Sequence, residues 1–88
     1  MNKIKQNAFN LGATGFGISN VGYKKYYVIY NGHKIHFGDK RYQDYTTHND
    51  DNRRFRYRAR ASKIKNKRGE YTYNNKNYPN YWSYHLLW

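Results

Sequence analysis

The chain has 88 residues, which is enough for one small domain, and it lacks cysteine, so disulfide scaffolds and thiolate zinc sites are excluded. Its 17 Lys and Arg residues outnumber five Asp and Glu residues and give a formal net charge of +12. Such an unbalanced charge repels itself in a compact fold, so a polyanionic partner is expected: nucleic acid, an acidic protein or anionic lipid.

Residues 1–22 predict a flexible N-terminal arm, because they are rich in Gly and Asn and show no convincing apolar period. The glycines of GATGFG do not form a phosphate-binding loop, which needs Lys and a hydroxyl residue directly after the last glycine. The segment lacks the apolar core of a signal peptide, and no apolar run of the chain is long enough to span a bilayer. We therefore expect a soluble protein of the cytoplasm, the nucleus or a particle interior, whose residues 23–88 form a single small α+β domain.

A β-hairpin is predicted around Asn31-Gly32, which stands between two β-rich runs and suits a two-residue type I′ turn. In that register the cross-strand pairs on the mainly apolar face are Tyr26 with Phe37, Val28 with Ile35, and Tyr30 with His33. Gly38-Asp39 would end the second strand. A lone hairpin is marginally stable in water, so another element must cover this apolar face.

The stretch RRFRYRARASK, residues 53–63, alternates basic with aromatic or small side chains. The alternation alone favours a β-strand, whereas the flanking residues favour a helix. Thr47 and Asp50 have capping-box spacing, Gly69 is suited to end a helix, and acidic residues precede the arginines as a helix dipole prefers. The alternative N-caps are Asp51 and Asn52. We therefore predict a basic α-helix over about residues 50–66, with the strand as the alternative.

Such a helix would carry two narrow apolar stripes on nearly opposite sides. The residues of the two stripes are Phe55, Ala59 and Ser62 on one side and Tyr57, Ala61 and Ile64 on the other. One stripe is expected to pack against the hairpin, and the other would face a partner together with the arginines. Of the two rings, we expect Phe55 to hold the fold and Tyr57 to stack on bases.

The end of the chain is dense in aromatic residues, and the whole chain has 12 tyrosines, so any core is expected to be small and largely aromatic. Residues 71–73 could form a short strand, Pro79 would interrupt the chain, and Asn80 could cap a short aromatic C-terminal helix over YWSYHLLW. In this helix, Trp82 and Trp88 are expected to help hold the fold.

The basic stretch is the strongest functional signal, because nine of the 17 basic residues lie within residues 53–68. Arg offers fixed forks for phosphate oxygens and Lys offers mobile charge. The residues expected to contact nucleic acid, through phosphates and in one case through ring stacking, are Arg53, Arg54, Arg56, Tyr57, Arg58, Arg60, Lys63, Lys65, Lys67 and Arg68. The sequence contains no zinc-ligand pair, sheet-type RNA-binding motif or basic leucine zipper, so base-specific readout is not expected.

Neither a metal site nor an active site is predicted. His33 and His36 would point to opposite faces of a strand, which makes them a poor ligand pair. The candidate residues for a metal-dependent nuclease are Asp39, Asp44, His48, Asp50 and Asp51. The acids, however, suit structural roles at a strand end, a turn and helix caps, and their spacing gives no pair of nucleophile and base. We therefore expect a non-enzymatic protein without catalytic residues, metal or cofactor.

Five short motifs occur in order between residues 24 and 88. They are Phe37-Gly38-Asp39, Asp44-Tyr45-Thr46 with His48, the helix residues Arg53, Arg56, Tyr57 and Arg60, then Tyr81-Trp82-Ser83 and Leu86-Leu87-Trp88. In these motifs the chain resembles an uncharacterised family of small basic proteins from nucleocytoplasmic large DNA viruses of protists and algae. The resemblance implies a viral origin and brings no established activity or catalytic residues.

With a viral origin, the expected function is non-enzymatic, largely sequence-independent binding of DNA or RNA. The protein would act in the virion interior, or at the replication site in the host cytoplasm or nucleus. The main alternative is a minor capsid or cement protein whose basic residues meet an acidic capsid surface or lipid headgroups. A third reading is a metal-dependent nuclease that uses His48 and nearby acids. The choice between DNA and RNA and the oligomeric state stay open.

Overall fold

The computed structural model describes residues 2–88, and within them the chain forms a three-stranded antiparallel sheet and four α-helices. The helices are α1 (Asn2–Asn10), α2 (Tyr45–His48), α3 (Asp51–Ala61) and α4 (Pro79–Leu86). The strands are β1 (Gly15–Ile18), β2 (Tyr26–Tyr30) and β3 (His33–Phe37), and a short 3₁₀ helix covers Thr72–Asn74. The predicted α+β class is confirmed. Along residues 2–88, no helix combines the length and apolar character that crossing a bilayer requires.

The hairpin of β2 and β3 has the predicted turn and register. Asn31 and Gly32 have φ angles of 52° and 76°, and a type I′ turn requires positive φ at both central positions. The pairs on its apolar face are Tyr26 with Phe37, Val28 with Ile35, and Tyr30 with His33. Strand β3 ends directly before Gly38, so this part of the prediction is also confirmed.

The N-terminal segment differs from the flexible arm predicted over residues 1–22, of which Met1 lies outside the described residues. From Asn2 onward it forms helix α1 and strand β1, and β1 extends the hairpin by pairing with β2. Ile4 and Ala8 lie one helical turn apart and are both buried in the core. The glycines of GFGI, which suggested flexibility, instead leave room for a ring: Tyr27 lies across Gly17 on the neighbouring strand.

The core lies between the sheet and α4. Its largest fully buried side chains are Trp82, Phe37, Leu87 and Val28. The Trp82 indole Nε1 donates a hydrogen bond to the Lys76 carbonyl oxygen at 2.8 Å, so the polar edge of this buried ring is satisfied. Helix α4 thus supplies the cover that the hairpin needs, and the predicted role of Trp82 is confirmed.

The segment between α3 and α4 corrects three predictions. Helix α3 ends at Ala61 rather than near residue 66, and residues 71–73 form an isolated bridge and a 3₁₀ turn instead of a strand. Asn80 does not cap α4, because Tyr78 holds the N-cap position and Pro79 begins the helix. The Asn80 amide instead donates to the Ala61 carbonyl oxygen at 3.0 Å, and so satisfies the end of α3.

Candidate nucleic-acid interface

Two aspartates fix the start of the helices that carry the site. Asp44 is buried, caps α2 by accepting from the Thr46 backbone N–H and hydroxyl, and forms an ion pair with Lys25. Asp50 caps α3 by accepting from the backbone N–H groups of Asn52 and Arg53, and the bond from Arg53 is the main cause that lowers the pKa of Asp50. Helix α3 therefore begins within one residue of the predicted start, but its N-cap is Asp50 rather than Thr47, Asp51 or Asn52.

The two aromatic residues of α3 lie in environments opposite to those predicted. The Tyr57 ring stacks on Trp88 with 4.3 Å between centroids and 10° between planes, and its hydroxyl donates to the Ser83 hydroxyl at 3.1 Å. Burial raises the pKa of Tyr57. Phe55 is 74% exposed, so its predicted role in holding the fold is wrong, whereas Tyr57 and Trp88 attach α3 to the last residues of the chain.

The packing partner of α3 is also different: the helix lies against α2 and α4 rather than against the hairpin. On the side that faces α4, Arg54 and Arg58 donate from Nε to the main-chain oxygen of Trp88 at 2.7 and 3.1 Å. Their guanidinium groups lie 4.5 Å from the Tyr45 ring centroid and 5.1 Å from that of Tyr84, respectively. These two arginines are therefore engaged in the fold itself.

The other arginines of α3 line a cleft of about 540 Å³ between α3, the loop of residues 38–44 and α4. Arg53, Arg56 and Arg60 occupy positions i, i+3 and i+7, so they form one row along the helix. We call this space the basic cleft. Its remaining lining residues are Lys24, Lys25, Gly38, Asp39, Tyr42, Gln43, Asp44, Tyr57, Pro79, Asn80, Ser83, Leu87 and Trp88.

The charge of the basic cleft is strongly unbalanced. Its two carboxylates are already paired, because Lys25 contacts Asp44 and Arg41 contacts Asp39. Hydrogen bonds from the Arg41 side chain and backbone lower the pKa of Asp39 to about 2, which keeps that carboxylate ionised and bound to Arg41. Neither of the ion pairs found in residues 2–88 includes an arginine of the row. The row thus presents three guanidinium charges to whatever enters the cleft.

The remaining predicted contact residues follow α3 and do not line the basic cleft. Lys63, Lys65, Lys67 and Arg68 are exposed in the turn between α3 and the 3₁₀ helix. The Lys65 ammonium lies 5.0 Å from the Tyr71 ring centroid. The structure therefore separates the predicted set into a cleft row, two arginines held by Trp88, and an exposed basic turn.

Several residues considered for a metal site or an active site have structural partners. His36 Nδ1 lies 2.8 Å from the Ser19 hydroxyl, and His48 Nδ1 accepts from the Asp50 backbone N–H at 2.8 Å. The Asp51 carboxylate accepts from the Tyr45 hydroxyl at 2.8 Å. In the part of the chain that the structure describes, no group of three His, Asp or Glu residues is placed to hold a metal ion.

Sequence reasoning missed the residues that close the cleft opposite the row, namely Lys24, Tyr42 and Gln43. Lys24 precedes the hairpin, and the other two lie in the loop between β3 and α2. The signal available was the segment KRYQD after Gly38-Asp39, which interleaves basic and aromatic residues as the helix does. It lacks any periodicity, so it does not predict an element on which these side chains would face the helix.

Comparison with curated proteins and with solved structures finds no match. A sequence profile described as a family of unknown function, DUF5754, matches residues 16–61. This range makes up just over half of the chain and runs from β1 to the end of α3. It includes the arginine row and the loop opposite it, whereas α4 lies beyond it. By this match the chain belongs to DUF5754, a family of unknown function.

Proposed function

We propose that this protein binds nucleic acid without catalysis and holds phosphate groups along Arg53, Arg56 and Arg60. The observation that carries the proposal is the row itself: three arginines on one helix face line a cleft whose two carboxylates are paired with other cations, Lys25 and Arg41. Guanidinium groups suit phosphate oxygens because their N–H donors form a planar fork. Unpaired charge of this kind is unfavourable within a compact fold and becomes favourable when a polyanion binds.

The exposed basic turn extends the interface beyond the cleft. Its side chains are Lys63, Lys65, Lys67 and Arg68. Lysines at an exposed turn make mobile contacts that follow a phosphate backbone without reading sequence. The setting implied by the resemblance is a viral one, so the nucleic acid would be a viral genome or transcript in the virion or at the replication site.

The test is binding of fluorescently labelled DNA and RNA, measured by anisotropy between about 50 and 300 mM salt. We expect tight, salt-dependent binding that Arg56→Glu/Arg60→Glu greatly weakens. On duplex DNA each phosphate contact contributes about −0.9 to the slope of log K against log salt. The variant lacks two arginines, so its slope should be less steep by about the contribution of two contacts.

The matched control is Lys3→Glu/Lys5→Glu on α1, which alters the net charge by the same amount at exposed positions outside the cleft. This variant should retain most of the affinity. Equal weakening in both variants would mean that overall charge, rather than the row, determines binding. No binding by the wild-type protein at low salt would refute the proposal.

A second candidate function is a structural role in a capsid, and one surface favours it. Ile18, Val21 and Tyr23 are exposed to 64%, 49% and 62%, and they follow one another from the end of β1 toward β2. Exposed apolar side chains that lie this close together in sequence are typical of protein contacts. Co-sedimentation of the protein with assembled capsids in the presence of nuclease would support this role.

A further inference from the structure

We infer that the basic cleft takes an unpaired nucleotide of single-stranded nucleic acid, whose phosphates lie on the arginine row and whose base stacks on Tyr42. The inference rests on the proposed function and specifies the form of nucleic acid that this site prefers. Three features of the basic cleft support it: its shape, the free ring at its rim and the mixed chemistry of its walls.

The shape of the site favours a single strand. A volume of about 540 Å³ lies within the range typical of clefts that enclose small molecules, about 300–1,000 Å³. A duplex keeps its bases stacked inside and offers mainly its phosphate backbone to a concave site of this size. A single strand can instead turn one base away from its neighbours, so that the base enters the cleft while the adjoining phosphates stay on the rim.

Tyr42 provides a ring on which such a base can stack. It is 65% exposed although it lines the cleft, and it has no aromatic neighbour among the ring pairs found in residues 2–88. The nearby Arg41 guanidinium carbon is 5.9 Å from the Tyr42 centroid but 4.6 Å from that of Tyr23, and Arg41 is held by two hydrogen bonds to Asp39. Arg41 therefore favours the Tyr23 ring and leaves Tyr42 accessible.

Two further lining residues supply the apolar surface that a base requires. Pro79 is exposed and Trp88 is half-buried, and Trp88 is held in place by its stack on Tyr57. The exposed amide of Gln43 adds a group that can both donate and accept at a base edge. Charged, apolar and amide groups that line one cleft match the phosphate, ring face and edge of a nucleotide.

The test compares a labelled 15-nucleotide single strand with the duplex of the same sequence, as DNA and as RNA, in the wild-type protein and in Tyr42→Ala. We expect the wild type to bind the single strand more tightly than the duplex. Loss of one stacking contact should weaken single-strand binding about 5-fold or more and leave duplex binding unchanged. The control is Tyr71→Ala, which removes an exposed tyrosine beside a lysine but outside the cleft, and which should bind as the wild type does.

Equal affinity for single strand and duplex, or single-strand affinity that Tyr42→Ala leaves unchanged, would overturn the inference. The proposed function would survive that result if Arg56→Glu/Arg60→Glu still abolished binding of both forms. Binding that persists in the arginine variant would refute the proposed function and the inference together. Circular dichroism of each variant establishes that the fold is retained, which is expected because Tyr42 lies in an exposed loop.

Discussion

Phe55 and Tyr57 are two positions apart on α3, and their environments are opposite because two residues correspond to about 200° around a helix. Tyr57 faces α4 and is attached to it by Trp88 and Ser83, whereas Phe55 faces away and is largely exposed. The sequence predicts two apolar stripes on this helix but offers no means to decide which one packs. The deciding contact comes from residues more than 20 positions further along the chain.

Truncation of the two rings should therefore differ in its effect on stability. We expect Tyr57→Ala to lower the free energy of unfolding by about 2–4 kcal/mol, because it removes a stacked ring and leaves a cavity beside Trp88. Phe55→Ala should change it by less than about 0.5 kcal/mol. Urea denaturation followed by circular dichroism measures both. Equal losses would contradict the packing described for α3.

Gly38 is a second residue whose environment can be tested. Its φ angle of 81° is in the left-handed region, and an added Cβ would lie 3.0 Å from Leu87 Cδ1 and 3.1 Å from Lys25 Cβ. Gly69 also has φ of 81°, but nothing lies within 4 Å of its added Cβ. The two positions thus share a backbone conformation and differ in packing.

We expect Gly69→Ala to cost about 1–2 kcal/mol, which is the penalty of the left-handed conformation alone. Gly38→Ala should cost about 1–3 kcal/mol more, because the methyl group also meets Leu87 and Lys25. Thermal or urea unfolding of both variants gives the difference. A difference near zero would indicate that the loop shifts freely, and the cleft wall at Leu87 would then be less rigid than its contacts imply.

At the scale of elements, the sequence predicts the turns and helix starts that neighbouring residues determine. Asn31-Gly32 fixes the turn and hence the register of β2 with β3, and Asp50 fixes the start of α3 through its own side chain. The end of α3 was not predictable in the same way. The Ala61 carbonyl oxygen accepts from the nearby Ile64 backbone N–H and also from the Asn80 amide, a partner 19 residues away that the sequence around Ala61 does not indicate.

The first two elements were missed for a related reason. Gly15 and Gly17 lower the intrinsic preference of β1 for a strand, and the compensating contacts with Ile29 and Tyr27 come from the neighbouring strand. In the candidate site, composition indicated the arginines, but only the packing of α3 shows which of them line the cleft. Arg54 and Arg58 bind the Trp88 main-chain oxygen, a contact that spans about 30 residues of sequence.

At the scale of the whole molecule, the few acidic residues serve internal roles. Asp44 and Asp50 cap helices, Asp51 accepts from Tyr45, and Asp39 holds Arg41. The two carboxylates that line the cleft are thus paired with Lys25 and Arg41, and Glu70 is the one acid beside the four basic residues of the turn. A net charge of +12 on 88 residues becomes a surface field that attracts polyanions over a distance set by the salt concentration.

Because the protein is already strongly positive, further protonation at low pH should lower the free energy of unfolding. His85 sets the pH range in which part of this loss occurs. Partial desolvation of the ring lowers the pKa of His85 from its usual 6.5, so the unfolded chain binds a proton more readily than the folded one. This residue contributes nothing above about pH 6.5, and below it the free energy of unfolding falls as pH falls. We expect the thermal midpoint to drop between pH 7.5 and 5.5, and to drop less in His85→Gln, which can still donate to the Tyr73 carbonyl oxygen. An identical drop in both proteins would assign the effect to other groups.

The two tryptophans differ in burial and in their distance from the basic cleft. Trp82 is fully buried under the sheet, whereas Trp88 is half-buried, stacked on Tyr57 and part of the cleft wall. Their indole emission therefore reports separate events: a ligand in the cleft alters the surroundings of Trp88 alone, and unfolding alters both. Trp82→Phe leaves Trp88 as a fluorescent probe of cleft occupancy, and Trp88→Phe leaves Trp82 as a probe of folding. Comparison of the two variants therefore distinguishes a ligand that binds in the cleft from one that unfolds the protein.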